Sequence, residues 1–250
     1  MIRLSNLLDR DCPLIIGHRG APHLAYENTL DSFTKAIEIK ADAIEIDIRQ
    51  TADQVLVVHH DNAIHNCTRK LCELSYEEAL EAARKEGYNL PTLRETLELC
   101  ADRISLDIEL KEQGYESAAY KEVIEFYSTD TFMFKSFADK SVKKLREIDR
   151  TLNVGLVLGE LPPISFRSRL NELFPTKRIE LCAASFVAAH WILLRFGILY
   201  RMNKIRMPVL VWTVDDMEYI RKLLKLNVAG IISNCPEKVI ELLDFDKSCL

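Results

Sequence analysis

The run Ala43-Ile44-Glu45-Ile46-Asp47-Ile48 constrains this chain more than any other stretch. It reads as a buried strand, yet it carries two carboxylates two residues apart. Side chains alternate faces along a strand, so Ala43, Glu45 and Asp47 share one face while Ile44, Ile46 and Ile48 share the other. The isoleucine face can pack against helices. The carboxylate face cannot lie unpaired in a dry core, because like charges there cost too much. Something positive should sit between the two acids, and a divalent cation is the natural candidate. A strand with a polar solvent face is the alternative reading.

The rest of the chain follows a rhythm around that strand. Pro13 to His18 reads as a first strand, and Asn28-Thr29-Leu30-Asp31 as a helix cap with Asn28 at the cap position. Leu30, Phe33 and Ile37 then follow at helical spacing. Ala43 to Ile48 is the second strand, and Gln54 to His60 is an extra one. Residues 61–90 break the rhythm and are expected to be an insertion with one short charged helix around Tyr76 to Lys85. Strands are expected at 104–111, 131–135, 154–157, 179–184, 208–213 and 228–233, with helices between them. Pro91 is expected to begin one of those helices, and Pro236 to lie in the first turn of the last. The segment 159–176, with Pro162-Pro163 in it, is irregular.

Eight strands alternating with helices in 250 residues is the pattern of an α/β chain folded as a (β/α)8 TIM barrel, here with a small insertion after the second strand. One domain spanning 1–250 is expected. An open doubly wound sheet is the runner-up. No Gly-rich dinucleotide fingerprint follows the first strand, and no GxxxxGK[ST] phosphate loop occurs.

Charge and cysteine usage narrow the function classes. The formal net charge is -5 with no long block of like charge, which argues against a nucleic-acid surface. The N-terminus carries charges and no apolar run, so no secretory signal is expected. Seven cysteines form no CxxC pair, which predicts free thiols in a reducing cytoplasm and no zinc site. The most apolar stretch, Phe186 to Tyr200, is interrupted by His190 and Arg195 and is too short to span a bilayer. It predicts a buried or interfacial helix. Arg195, Arg201, Lys204 and Arg206 flank it, which keeps a peripheral membrane contact open. Nothing in the chain sets an oligomeric state.

Reactive groups of such a barrel lie at the C-terminal ends of its strands. There the chain places His18 and Arg19, Glu45 and Asp47, His59 to Asp61, Glu109 and Lys111, and Trp212. Glu45, Asp47 and Glu109 can supply hard oxygen ligands to Mg2+ or Ca2+. Arg19 and Lys111 can neutralise a phosphate. His18 and His60 can exchange protons near neutral pH. The implied chemistry is cleavage of a small-molecule phosphodiester. Alternation turns His59 away from His60, which suggests a structural role. His23, His65 and His190 read as surface or packing residues, and Asp107 is left outside the set although it shares a face with Glu109.

An ordered set of short pieces then resembles the glycerophosphodiester phosphodiesterases. The pieces are HRG at 18–20, ENT at 27–29, EID at 45–47, Thr51 and Asp53, HD at 60–61, PTLRE at 91–95 and ELK at 109–111. Ser136-Phe137, WTV at 212–214 and GIIS ahead of Pro236 complete it. The resemblance implies metal-dependent hydrolysis of glycerophosphodiesters, such as glycerophosphocholine or glycerophosphoethanolamine, to glycerol 3-phosphate and an alcohol. It implies His18 and His60 as the acid-base pair, Glu45, Asp47 and Glu109 as metal ligands, and Arg19 and Lys111 as the phosphate grip. It also implies that Glu27 and Asn28 brace the His18-Arg19 loop and that Trp212 walls the pocket. Three departures stand out: Gln54 where the family often has glycine, Asn66 where it has arginine, and Ser233-Asn234 where it has threonine-aspartate. Asn234 is expected only to cap the last helix. A lysophospholipid-cleaving enzyme acting at membranes and a non-catalytic phosphate-binding barrel are the alternatives.

Overall fold

The computed structural model describes residue 4 and residues 12–159 and 166–248. Pro162-Pro163, Cys249 and the charged N-terminal residues 3 and 9–11 lie outside the described residues. Eight parallel strands close into a barrel: β1 (Leu14–His18), β2 (Ala43–Gln50), β4 (Ser105–Leu110), β5 (Phe132–Ser136), β6 (Asn153–Leu158), β7 (Phe186–His190), β8 (Val209–Trp212) and β9 (Gly230–Ser233). Pairing of β1 with both β2 and β9 closes the ring. The extra strand β3 (Leu56–Val58) runs antiparallel to β2, with Ile48 opposite Val58. The chain is thus a TIM barrel with one added strand.

The barrel has two apolar layers because each strand is buried on both faces. Ile44, Ile46 and Ile48 pack outward against α1 (Leu30–Glu38), α3 (Leu93–Cys100) and their neighbours. Leu14, Ile16, Ala43, Met133, Val157, Phe186, Ala188 and Leu210 fill the interior. Leu4 joins this inner layer. It sits at the N-terminal end, where its N–H donates to the Asp130 carbonyl at 2.6 Å and its own carbonyl accepts from Asn153. Apolar side chains therefore seal the lower barrel, and the polar side chains of the same strands collect above them.

Register decides which polar groups become neighbours. Parallel pairing sets Glu45 between His18 on β1 and Asp107 on β4. One layer higher, Asp47 pairs with Glu109, and Glu109 pairs with Lys135 on β5. A slip of one residue in any of these strands would turn its carboxylates out into the helix layer.

Residues 61–90 leave the alternation between β3 and α3. They form a short 3-10 helix at Leu71–Glu73 and α2 (Tyr76–Lys85), which Ser75 and Glu78 close with a reciprocal capping box. Val57, Ile64, Leu71, Leu74, Ala79, Leu80, Ala83 and Leu90 give this segment its own apolar cluster.

Three sequence expectations are corrected. The helix α1 is capped by Thr29, whose hydroxyl accepts from the Ser32 N–H, and not by Asn28. Residues 179–184, expected as the sixth strand, belong to α7 (Thr176–Cys182) and its left-handed cap at Ala183, with φ 54°. The sixth barrel strand is instead β7, the front of the stretch expected to be one apolar helix. That stretch is divided into β7, a 3-10 helix at Trp191–Phe196 and α8 (Ile198–Lys204), with a break at Gly197 where φ is 74°. A strand apolar on both faces has no period of two, so Phe186 to His190 looks the same as the first turn of a buried helix. α6 (Phe166–Leu173) occupies part of the irregular segment. No helix among the described residues is long and apolar enough to cross a membrane.

Candidate active site

A cavity of about 400 Å³ opens at the C-terminal end of the barrel. His18, Arg19, Glu45, Asp47, His60, Glu109, Lys111 and Trp212, eight of the ten residues singled out from sequence, line it. The other two stand behind it. Glu27 accepts from the Arg19 guanidinium at 2.7 Å. Asn28 donates from its side chain to Asp47 Oδ2 at 3.0 Å and from its backbone to the Arg19 carbonyl at 3.0 Å. Both Arg19 and Asn28 hold left-handed backbone, φ 56° and 53°, so the loop depends on these ties. Its turn is tight: a Cβ on Gly17 would lie 2.1 Å from the Gly20 carbonyl oxygen.

The three acids converge. One oxygen from each of Glu45, Asp47 and Glu109 lies within 4.8 Å of the others, and all three residues are buried. Their surroundings are cationic. Lys111 Nζ lies 2.7 Å from Glu109 Oε1 and 3.3 Å from Asp47 Oδ1. Arg19 Nε lies 3.2 Å from Asp47 Oδ2, and its backbone N–H donates to Glu45 Oε2 at 3.1 Å. Burial by itself would push the Asp47 carboxyl up, but Lys111 and then Arg19 outweigh it and hold Asp47 well below the usual carboxylate range. Burial likewise opposes the charge on Lys111, and Glu109 and Asp47 more than restore it.

A second buried lysine was not singled out from sequence. Lys135 Nζ reaches Glu45 Oε1 at 3.1 Å and Asp107 Oδ2 at 2.6 Å. Desolvation pushes the Asp107 carboxyl up to about 7 against the pull of Lys135. Asp107 lies below the cavity and does not line it, in keeping with its exclusion from the set. The signal for Lys135 was available: it shares a strand face with Met133, which points into the barrel.

The two imidazoles are oriented by different partners. His60 Nδ1 lies 2.7 Å from Asp61 Oδ1. A carboxylate only accepts, so Nδ1 carries the hydrogen and Nε2 is left for the pocket. His18 Nδ1 lies 2.7 Å from Asn234 Oδ1. Asn234 in turn donates its side-chain amide to Asp215 Oδ2 and its backbone N–H to Asp215 Oδ1, each at 2.7 Å. Because Asp215 can only accept, the amide nitrogen must face it and the amide oxygen must face His18. The chain Asp215–Asn234–His18 therefore selects the tautomer with hydrogen on Nδ1. Asn234 is more than the mild substitution expected from sequence: it holds a proposed acid-base group. Arg49, also overlooked, is buried on β2 and donates two hydrogen bonds, at 2.8 and 2.6 Å, to the His60 carbonyl.

Opposite the charged groups stands an aromatic wall. Trp212 meets Phe137 edge-on at 5.9 Å and His190 at 5.1 Å between ring centroids, and its indole N–H donates to the Ala188 carbonyl. His190, expected to have a surface or packing role, lines the cavity and is a correction. Burial lowers its basicity. The misread helix hid it, since the end of a barrel strand was not recognised there. His59 does turn away, its Nε2 meeting the Ala63 carbonyl at 3.3 Å while its ring lies parallel to Tyr88. His23 faces Glu237 at 3.5 Å on the outside.

A TIM barrel that gathers three acids, three imidazoles and three cations in one cleft has the frame of a phosphoric diester hydrolase. The sequence matches the glycerophosphoryl diester phosphodiesterase family over residues 18–238, and the chain belongs to that family. It is 29% identical to a glycerophosphodiester phosphodiesterase of Caldanaerobacter subterraneus over 255 residues, covering 92% of this chain and 97% of the relative. Among solved structures it resembles a glycerophosphodiester phosphodiesterase of Thermotoga maritima at 25% identity and TM-score 0.71, covering 92% and 98% of the two chains. It shares its fold with a phosphodiesterase of Oleispira antarctica solved in complex with the product sn-glycerol-3-phosphate, at 21% identity and TM-score 0.77, covering 93% and 97%. The chain is an enzyme that hydrolyses glycerophosphodiesters.

Proposed function

We propose that the enzyme takes glycerophosphodiesters of the choline and ethanolamine class and releases glycerol 3-phosphate and the alcohol, using a divalent cation held by Glu45, Asp47 and Glu109. The observation that carries this reading is the approach of those acids to within 4.8 Å beside two imidazoles whose Nδ1 atoms are both engaged. The donor set fits a hard cation: three buried carboxylate oxygens and no sulfur, the chemistry of Mg2+ and Ca2+. When bound, the metal would offset the charge that builds on the phosphoryl oxygens. The product bound by the Oleispira barrel supports glycerol 3-phosphate as the retained half.

The chain's own residues supply the rest. Arg19 and Lys111 grip the phosphate while their other contacts, Glu27 and Glu109, hold them in place. His18 and His60 are the acid-base pair: each presents Nε2, one to take the proton of the attacking hydroxyl and the other to return one to the leaving alcohol. Trp212 walls the alcohol side. The whole chain works as one barrel domain, with the insertion at 61–90 bordering the His60 loop. A cytoplasmic setting is supported by the six described cysteines, all of which are free.

The test is direct. Full-length protein is given glycerophosphocholine or glycerophosphoethanolamine with Mg2+, with Ca2+ or with a chelator, and glycerol 3-phosphate is measured. Release is expected with metal only, and His18→Ala or His60→Ala should lower kcat by about 10² to 10⁴. Intact substrate with either metal, together with tight binding of it, would instead leave a phosphate-binding barrel. A second reading, cleavage of lysophospholipids at a membrane, is favoured by an exposed aromatic and basic surface on the segment that follows β7.

A further inference from the structure

The segment after β7 does not stay in the core. His190 lines the cavity, and the 3-10 helix Trp191–Phe196 begins at the next residue. From there to the end of α8 the buried side chains are Leu193, Ile198 and Met202, and the opposite side faces solvent. It carries Phe196 at 58% exposure, Tyr200 at 65% and Ile205 at 46%. Phe174, which follows α6, is 60% exposed and joins the same surface through Arg201. The Arg201 guanidinium lies 4.7 Å from the centre of the Phe174 ring and donates to the Leu173 and Phe196 carbonyls at 3.0 and 2.9 Å. Lys204 Nζ lies 4.7 Å from the centre of the Tyr200 ring. These are exposed aromatic groups on one stretch of surface, and two of them, Phe174 and Tyr200, lie beside a cation.

Charge selects the occupant. Residues 186–206 contain Arg195, Arg201, Lys204 and Arg206 and no acid, in a chain whose formal net charge is -5. A second copy related by a two-fold axis would bring the same cations face to face, which opposes self-association. Aromatic rings with a basic border, on a short helix lying along the surface, suit the headgroup layer of an anionic bilayer: rings enter the boundary and cations meet lipid phosphates. We propose that the surface formed by Phe174, Phe196, Tyr200, Lys204 and Arg206 docks the enzyme on anionic lipid. This goes beyond the substrate reading and does not depend on it, because it concerns where the enzyme sits.

Co-sedimentation of the full chain with vesicles tests it. Vesicles of phosphatidylcholine alone are compared with vesicles that also contain phosphatidylglycerol. Wild-type protein is expected to sediment with the mixed vesicles only, and less as salt rises. Removal of one cation should weaken binding about fivefold. The exposed double change Lys204→Glu with Arg206→Glu should therefore abolish it, and Phe196→Ser with Tyr200→Ser should weaken it at least about tenfold. Hydrolysis of soluble glycerophosphocholine serves as the folding control and should stay at the wild-type rate in both variants. Wild-type protein that ignores phosphatidylglycerol, or variants that sediment as wild type does, would overturn the proposal. So would a wild-type dimer in light scattering that Phe196→Ser with Tyr200→Ser dissolves, since the surface would then belong to a second copy. A protein that binds vesicles but cleaves nothing would contradict the substrate reading and leave the docking surface standing.

Discussion

The rim of this barrel consists of two unlike arcs. At the ends of β1, β2, β4 and β5 the side chains are charged, buried and multiply paired: Asp47 meets Lys111, Arg19 and Asn28, and Glu45 meets Lys135 and the Arg19 backbone. At the ends of β6, β7 and β8 stand Gly159, His190 and Trp212, with Phe137 against them, held by ring contacts and by the sheet below. Gly159 is required there, because a Cβ on it would lie 2.3 Å from the His190 Cβ. The first arc cannot lose a member without leaving a buried charge uncompensated. The second can lose a ring and keep its fold. Reactivity thus rests on one side of the cavity and shape on the other.

Asp47→Asn attacks the first arc at its centre. It removes the charge between Arg19 and Lys111, and a loss of about 3–5 kcal/mol is expected in urea unfolding. A loss near zero would mean that the arc is solvated and that the contrast with the aromatic side is false. Asn234→Ala should come next. It frees the His18 ring while leaving the phosphate grip intact, so kcat should fall about 10- to 100-fold with little change in KM. A rise in KM alone would make Asn234 part of the binding surface instead. Trp212→Ala tests the second arc. Each ring contact is worth about 0.5–1.5 kcal/mol. KM for the choline substrate is therefore expected to rise about tenfold while kcat holds, and a collapse of kcat would erase the division of labour.

The smallest effect separates two buried acids within the charged arc. Asp47 is held below its usual range, so its pairing contributes fully at pH above that range and is lost only as the pH falls through it. Asp107 is raised to about 7, so the folded state binds its proton more tightly than the unfolded chain does. The stability it gives is present at acid pH and is lost as pH rises through 7. Urea midpoints of wild type and Asp107→Asn at pH 5 and pH 8 measure this. Wild type should lose ground to the variant at the higher pH, and parallel curves would show that Lys135 keeps Asp107 ionised throughout.

The two arcs also differed in how readily they could be read. Glu45, Asp47, Glu109 and Lys111 were legible because an acid or a lysine on an apolar strand breaks the pattern and alternation says which way it points. His190 was not, and for Lys135 the face was legible but the partners were not. His190 ends a strand that is apolar on both faces, and its run passed for a helix. Lys135 stands at the end of a correctly placed strand, but nothing local told that its partners would be Glu45 and Asp107 on other strands. Asn234 reads as a helix cap in the sequence because its contacts, to Asp215 and His18, lie 19 and 216 residues away.

What the amino-acid order settled alone was most of the alternation of strands and helices, the faces of polar residues on the strands it placed correctly, and the ordered short motifs that mark the family. These depend on spacing along the backbone, which is local. What only tertiary structure decided was the pairing: which lysine meets which acid, which amide sets the tautomer of His18, and which apolar turns reach the surface. Those follow from strand register and barrel closure, and they bring together residues whose separation in the chain carries no trace of their contact.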